Sequence, residues 1–274
     1  MPKVGLYLPL GRINLIATIL KFYNLIPRFI RNYLVRTKLN FFLFVIYSLL
    51  ISKFQKYYSQ SGEDMFIQKY LPEHKGTYID IGSGQPIRGS NTYFFYKLGW
   101  CGYLIDPLLF NFKLNRIFRT RDVKILGAIA KYESTATFFE LYPYEYSTLV
   151  HERATYFSNK ARVWIKDIYD VNTFPLSALT LEMSPIDPTF ISVDVEGFDL
   201  EVLKSNDWVR ILPRVVCVEA PNPVITPTEI SVYLSKLGYE FVGLVGISNI
   251  FVHKSYLVSR ISDEKHNVSS KSDK

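Results

Sequence analysis

The stretch Tyr78-Ile79-Asp80-Ile81-Gly82-Ser83-Gly84-Gln85-Pro86 decides the fold, and about twenty residues later Tyr103-Leu104-Ile105-Asp106 answers it. The first segment is an apolar strand that ends in an acid and a glycine-spaced turn. Glycines there let the backbone approach a ligand closely and hand the chain to a helix starting near Ser90. The second segment is another apolar strand whose last residue is again an acid. In doubly wound sheets ligands sit outside the carboxyl ends of the strands, where an acid ending the second strand can take ribose hydroxyls. The pair therefore implies a nucleoside-binding Rossmann half.

Strand and helix signals continue outward from this centre. Thr77–Gly82 reads as a strand, and Ser90-Asn91-Thr92 as the cap of a helix through Leu98 that Gly99 stops. Cys101–Asp106 is a strand, with Pro107 at a helix start. Lys124–Ala130 and Thr135–Leu141 read as two further strands, whereas residues 142–171 have no clean period and look like an insert over a site. Thr189–Asp194 and Val215–Glu219 are apolar strands ending in acids. Thr226-Pro227-Thr228-Glu229 reads as a capping box with proline at the first helical position, opening a helix that Gly238 closes. Tyr239–Val245 and Ile250–His253 close the series. Short apolar runs separated by helices mean a mostly parallel α/β sheet buried on both faces.

Composition separates this body from what precedes it. Of 32 basic residues nine lie before Glu63, where no acid occurs, so the net charge of +7 belongs to the N-terminal extension. The extension also carries apolar runs at Leu15–Leu20 and Phe41–Ile51. The second is shorter than the roughly 20 residues of a spanning helix, and no secretory cleavage pattern follows. Residues 1–56 are therefore expected to lie on an anionic membrane surface, or else to pack on protein, which makes the chain cytoplasmic and peripheral to the membrane. Nucleic acid is not an expected partner, because long aliphatic runs interleave the basic residues. Residues 57–254 form the expected catalytic domain and residues 255–274 a solvated tail. A content of 48% hydrophobic and 16% aromatic residues excludes disorder for most of the chain. Cys101 and Cys217 read as buried strand residues rather than a disulfide, and the four scattered histidines have no zinc spacing, so no metal site is assigned.

The chemistry should collect where the strands end. A parallel sheet puts Asp80, Asp106, Asp194 and Glu219 on one edge, and each alone would be an ordinary cap or surface pair. Four together point to a shared crevice. Val193-Asp194-Val195-Glu196-Gly197-Phe198-Asp199 is the densest part, suited to an ammonium, a metal ion or a substrate hydroxyl. Before the first strand, Tyr58-Ser59-Gln60-Ser61-Gly62-Glu63-Asp64 reads as a helix cap with acids in the first turn. Gln60 stays unexplained by that reading.

Taken in order, Ser59-Gln60-x-Gly62-Glu63-Asp64, Asp80-Ile81-Gly82 with Ser90-Asn91-Thr92, Gly99-Trp100-x-Gly102-x-x-Ile105-Asp106-Pro107 and Asp194-Val195-Glu196-Gly197-Phe198-Asp199 resemble the FkbM-type S-adenosylmethionine-dependent methyltransferases. The resemblance runs from about Tyr57 to Lys254. It implies a seven-stranded, Rossmann-like methyltransferase sheet with a reversed last strand and methyl transfer, usually to a hydroxyl oxygen. It further implies that Asp80, Gly82 and Ser83 lie along the methionine part of the cofactor, and that Asn91 and Asp194 also bind it. Asp106 would take the ribose and Ala128 would lie near the adenine. Asp194 and Glu196 would face the reacting centre, Asp194 as first candidate for the base, Glu196 second and His151 third. Tyr144, Tyr146 and Tyr156 of the insert are candidates to line the acceptor pocket, or to pack among themselves. Pro86 departs from the glycine-rich turns of many methyltransferases. The resemblance leaves the acceptor hydroxyl open among a sugar, a glycan, a lipid-linked and a polyketide-type molecule. A nicotinamide-dependent oxidoreductase or epimerase is the competing reading. It lacks the third glycine after Gly82-x-Gly84 and a Tyr-x-x-x-Lys pair. A degenerate membrane-bound scaffold is the other, against which the intact acids count.

Overall fold

The computed structural model describes residues 57–72, 75–179, 188–219 and 228–257. The expected membrane-surface extension, most of the expected tail, and Thr226 and Pro227 lie outside the described residues. Among those described, no helix is long and apolar enough to cross a membrane.

Helix α1 (Glu63–Gln68) leads into β1 (Thr77–Ile81), α2 (Tyr93–Lys97), β2 (Cys101–Asp106), α3 (Leu109–Phe118) and β3 (Val123–Leu126). Then come β4 (Ala128–Ile129), β5 (Ser134–Tyr142), α4 (His151–Ser158) and β6 (Trp164–Phe174). The chain closes with β7 (Phe190–Val193), α5 (Asp199–Lys204), β8 (Val215–Glu219), α6 (Glu229–Lys236), β9 (Tyr239–Val245) and β10 (Ser248–His253). Seven strands form one sheet in the order β3-β2-β1-β7-β8-β10-β9. The strands from β3 to β8 are parallel, and β10 runs antiparallel to both of its neighbours, as the expected reversed strand requires. Sequence order runs in opposite directions on either side of β1, so the crevice outside its carboxyl end is the natural ligand position.

The sheet is buried on both faces because its strands alternate between two apolar sets. Ile79, Ile81, Ile105, Ile191, Val193, Val216 and Val218 pack with Val202 and Leu203 of α5 and Leu234 of α6. Tyr78, Leu104, Phe190, Val215 and Cys217 pack on the other side with Ile67 of α1 and Phe95 of α2. With a side-chain period of two, Asp80, Asp106, Ser192 and Glu219 fall on this second face. Tens of such buried side chains, each contributing about 1.5–3 kcal/mol, hold the layers together against chain entropy.

Several sequence expectations need correction. The single strand expected over Lys124–Ala130 is two, separated at Gly127: β3 belongs to the large sheet, while Ala128 and Ile129 pair with Thr173 and Phe174 of β6. Together with β5 they form a second, three-stranded sheet ordered β4-β6-β5. The insert without a period contains helix α4 and most of the eleven-residue β6. Its pattern is blurred because β6 is largely solvent-facing and its register with β5 shifts at Glu140/Leu141. Cys101 is exposed, since it opens its strand; Cys217 is buried as expected. The N-cap of α6 is Thr228, whose side chain accepts from the Ser231 amide, so proline does not occupy the first helical position. At α1 the N-cap is Gly62 (φ 96°). There Asp64 accepts from the Tyr58 amide and the Ser59 hydroxyl, Glu63 accepts from the Ser61 amide, and Gln60 stays exposed.

One buried cation ties the turn after β1 to the rest. Arg119, only 1% exposed at the end of α3, donates through Nε to Asp122 at 2.7 Å. Through its two terminal nitrogens it donates to the Pro86 carbonyl and to the hydroxyls of Ser90, Tyr78 and Thr92. The Tyr93 and Tyr96 rings lie over its guanidinium. Removing one partner of a buried ion pair strands the other charge and costs about 3–5 kcal/mol. Arg119→Met keeps the chain length and loses every donor, so it should lower the unfolding free energy by about that amount in urea titration. A loss below about 1 kcal/mol, the scale of a surface pair, would show that the turn does not depend on this arginine.

Candidate active site

The crevice is built where β1 and β7 leave the sheet side by side. The Asp194 amide donates to the Ile81 carbonyl at 3.0 Å. A Cβ on Gly82 would lie 1.8 Å from the Asp194 carbonyl oxygen, and Gly82 has φ 72°. No side chain fits there, and few residues other than glycine adopt that backbone. The tight exit brings Asp194 up to the turn that carries Ser83 and Gly84.

Asp106 fastens the other wall. Its carboxylate accepts from the amides of Gly84 and Leu108, both at 2.8 Å, and from Asn111 Nδ2 at 3.0 Å. A carboxylate has about four acceptor positions, so it remains open to a further donor. The Asn115 side-chain amide donates to the Gly84 carbonyl and braces the same turn. Ser83 Oγ, Asn111 Oδ1 and Asn115 Oδ1 are buried around it with no hydrogen-bond partner among the described residues. Buried polar atoms are rarely left so. Ala128, buried just beyond the Gly127 amide that donates to the Asp106 carbonyl, completes this side. These orphaned atoms and the glycine cradle fit a polar, nucleoside-sized ligand.

Other residues picked from the sequence make contacts within the fold. Asp80 accepts from Thr92 Oγ1 at 2.5 Å and so faces the start of α2. Asn91 donates to Ser192 and Cys217, holding the same helix start against β7 and β8. His151 is exposed, its ring edge against Phe139. Tyr144 stacks on Phe110, Tyr146 packs on Phe157, and Tyr156 is exposed. The tyrosines thus follow the packing reading of the insert.

Beyond Asp194 the chain makes an unusual loop. Glu196 has φ 55° and Gly197 φ 100°, consecutive left-handed residues of which only the second is a glycine. For a non-glycine residue this costs about 1 kcal/mol or more, and the surroundings enforce it. Thr148 Oγ1 donates to the Glu196 carbonyl at 3.1 Å, and Asp199 accepts from the amides of Val195 and Gly197. Arg153 of α4 pairs with the Glu196 carboxylate at 2.9 Å. Carboxylate oxygens of Asp194, Glu196 and Glu219 consequently lie within 4.8 Å of one another. The sequence marked Glu219 only as a strand-end acid and missed Arg153 altogether. A lone arginine in an insert of unclear period offers no signal until α4 is folded against the loop.

Crowding raises every one of these acids. Asp194 opens to solvent, yet protein atoms surround it closely. That desolvation, then the charges of Glu219, Asp199 and Asp80, hold it well above the usual carboxylate range. Glu196 is raised to about 8 by desolvation and Asp194, with Arg153 opposing. Glu219 is raised to about 8 by desolvation, then by Glu196 and Asp199. Burial raises Asp80, Asp106 and Asp199 to about 6. In these last three the folded-state value exceeds the unfolded one. The folded chain therefore binds more protons between about pH 4 and pH 6 and loses stability as pH rises through that window. Lowering the pH from 7 to 5 should raise the melting temperature or leave it level in differential scanning fluorimetry. A steady fall over that range would mean that ion-paired acids of depressed pKa dominate instead.

The family model described as the methyltransferase FkbM domain matches residues 80–241, more than half of the chain. No curated protein matches the chain. Among solved structures, the chain is similar to the Burkholderia thailandensis 1,6-didemethyltoxoflavin-N1-methyltransferase with bound 1,6-didemethyltoxoflavin and S-adenosylhomocysteine. That similarity has 9% identity and a TM-score of 0.36, over 70% of this chain and 75% of the other. It is too low to bear on the chemistry of this chain.

Proposed function

The chain belongs to the FkbM methyltransferase domain family, and from that premise we propose that it transfers a methyl group from S-adenosylmethionine to a hydroxyl oxygen of a small-molecule acceptor. The observation that carries the reading is the crevice itself. Asp106 and the unpartnered Ser83 hydroxyl stand on one side of the Gly82 turn, and Asp194 with Glu196 on the other. When bound there, S-adenosylmethionine supplies an electrophilic methyl group. Asp106 takes a ribose hydroxyl on its open acceptor position, Ser83 takes a polar atom of the methionine part, and the glycine turn lets the backbone close on the ligand.

The remaining work is alignment and proton removal. Holding an acceptor oxygen in line behind the methyl group supplies about 7 kcal/mol or more of the barrier. Asp194, at the centre of the crevice, takes the acceptor proton, and Glu196 is the neighbour next placed to do so. Such a base contributes about 10²–10⁴-fold. Asp194→Asn should accordingly bind S-adenosylmethionine within a few-fold of the parent in calorimetry while losing most turnover. Parent-like turnover in that variant would remove Asp194 from the chemistry.

A sugar, glycan, lipid-linked or polyketide-type hydroxyl suits the reading, and the basic, apolar residues 1–56 favour an acceptor met at a membrane surface. Each basic residue contributes about 1 kcal/mol near an anionic leaflet, so the full chain should cosediment with anionic vesicles at low salt. Protein left in the supernatant would contradict attachment.

A further inference from the structure

The acids at the ends of β7 and β8 hold more negative charge than the protein neutralises. Asp194, Glu196 and Glu219 bring carboxylate oxygens within 4.8 Å of one another. Among the described residues, the one ion pair into this group is Arg153 to Glu196. With all three ionised, three carboxylates against one guanidinium would leave two negative charges uncompensated, and Asp80 and Asp199 stand close enough to add to them. Acidic clusters are common on protein surfaces without any ligand. Glu219 is different: it is 5% exposed, and its Oε2 is shut off from solvent with no hydrogen-bond partner among the described residues. A buried carboxylate oxygen left that way costs more than a neutral group would.

We propose that Asp194, Glu196 and Glu219 bind one hard divalent cation at the floor of the crevice. The ligand set is all carboxylate oxygen, which suits magnesium, manganese or calcium and not zinc or copper. Oxygens on opposite sides of calcium, each at about 2.4 Å, are about 4.8 Å apart, and across magnesium about 4.2 Å. Oxygens no more than 4.8 Å apart in pairs lie within about 2.8 Å of a common point, so the cluster accepts a calcium-sized ion after shifts of a few tenths of an ångström and a magnesium-sized one after a larger contraction. One divalent charge cancels the excess left by Arg153. The left-handed backbone at Glu196, clamped by Thr148 and Asp199, turns its carboxylate back toward Asp194 and keeps the ligands together without a bound ion. Three protein oxygens leave about three octahedral positions for water or for oxygens of the acceptor. Binding of the ion does not depend on the methyl-transfer reading; its use in holding an acceptor oxygen does.

The test is titration of the metal-stripped full chain with manganese alone, followed by calorimetry and by the electron paramagnetic signal of the free ion, with no cofactor present. One saturable site per chain is expected, with affinity reduced about tenfold or more in both Glu219→Gln and Glu196→Gln. Manganese should also raise the melting temperature of the parent more than that of either variant. Glu196 is partly exposed, so its variant decides the matter if Glu219→Gln does not fold. Absence of saturable binding to the parent, or equal affinity in a folded variant, overturns the proposal and leaves a proton shared between Asp194 and Glu219 as the remedy for the crowding. S-adenosylmethionine binding is measured separately on the same protein. A chain that binds the cofactor but shows no saturable manganese binding keeps the methyltransferase reading and loses the metal, whereas turnover after exhaustive chelation removes only the ion's use in holding the acceptor. A chain that binds manganese at this site and no cofactor does the reverse.

Discussion

Everything at the active edge depends on how closely β1 and β7 leave the sheet. Gly82 meets the Asp194 carbonyl with no room for a Cβ, and the Asp194 amide is bonded to Ile81. That contact fixes the distance between the ligand-cradling turn and the acid-rich loop. It also explains why the acids are crowded. Two parallel strands that end flush deliver their terminal side chains to one place, and β8 and β2 deliver Glu219 and Asp106 beside them.

Crowded acids need restraint, and two arginines provide it in different ways. Arg119 is buried behind the turn and is fully engaged by Asp122 and four neighbouring oxygens. It keeps the β1–α2 segment in place whatever the crevice holds. Arg153 comes from the insert and meets Glu196 at the open side. The insert is thereby more than a cover: α4 supplies the cation for an acid that β7's loop supplies. The raised pKa values of the acids are a consequence of this design, since desolvation and mutual repulsion outweigh what Arg153 offers Glu196, Glu219 and Asp199 and what Arg119 offers Asp80.

Much of this was legible in the sequence. The apolar runs around Asp80, Asp106 and Glu219 mark strands whose bounds agree with the structure to within a residue, because short apolar runs between turns suit strands buried on both faces. The family resemblance agrees with the domain match over residues 80–241. What failed did so for local reasons. Gly127 hides a change of sheet that no hydrophobic pattern marks, and β6 is too exposed and too irregular in register to read as a strand. Thr228 and not Thr226 caps α6, because the cap depends on which hydroxyl reaches the Ser231 amide. At the site, one oxygen of Asp80 and the side-chain nitrogen of Asn91 hold the start of α2 and its contacts with β7 and β8, partners that the sequence does not reveal.

The central claim is that one crevice takes the nucleoside on the Asp106 side and the reacting centre on the Asp194 side. A crystal structure of the full chain with S-adenosylhomocysteine tests it most directly. The account predicts a ribose hydroxyl within hydrogen-bond distance of the Asp106 carboxylate, Ser83 Oγ engaged, and the sulfur turned toward Asp194. A nucleoside seated anywhere other than against the Gly82 turn, with Asp106 still bound only to Gly84, Leu108 and Asn111, would contradict it.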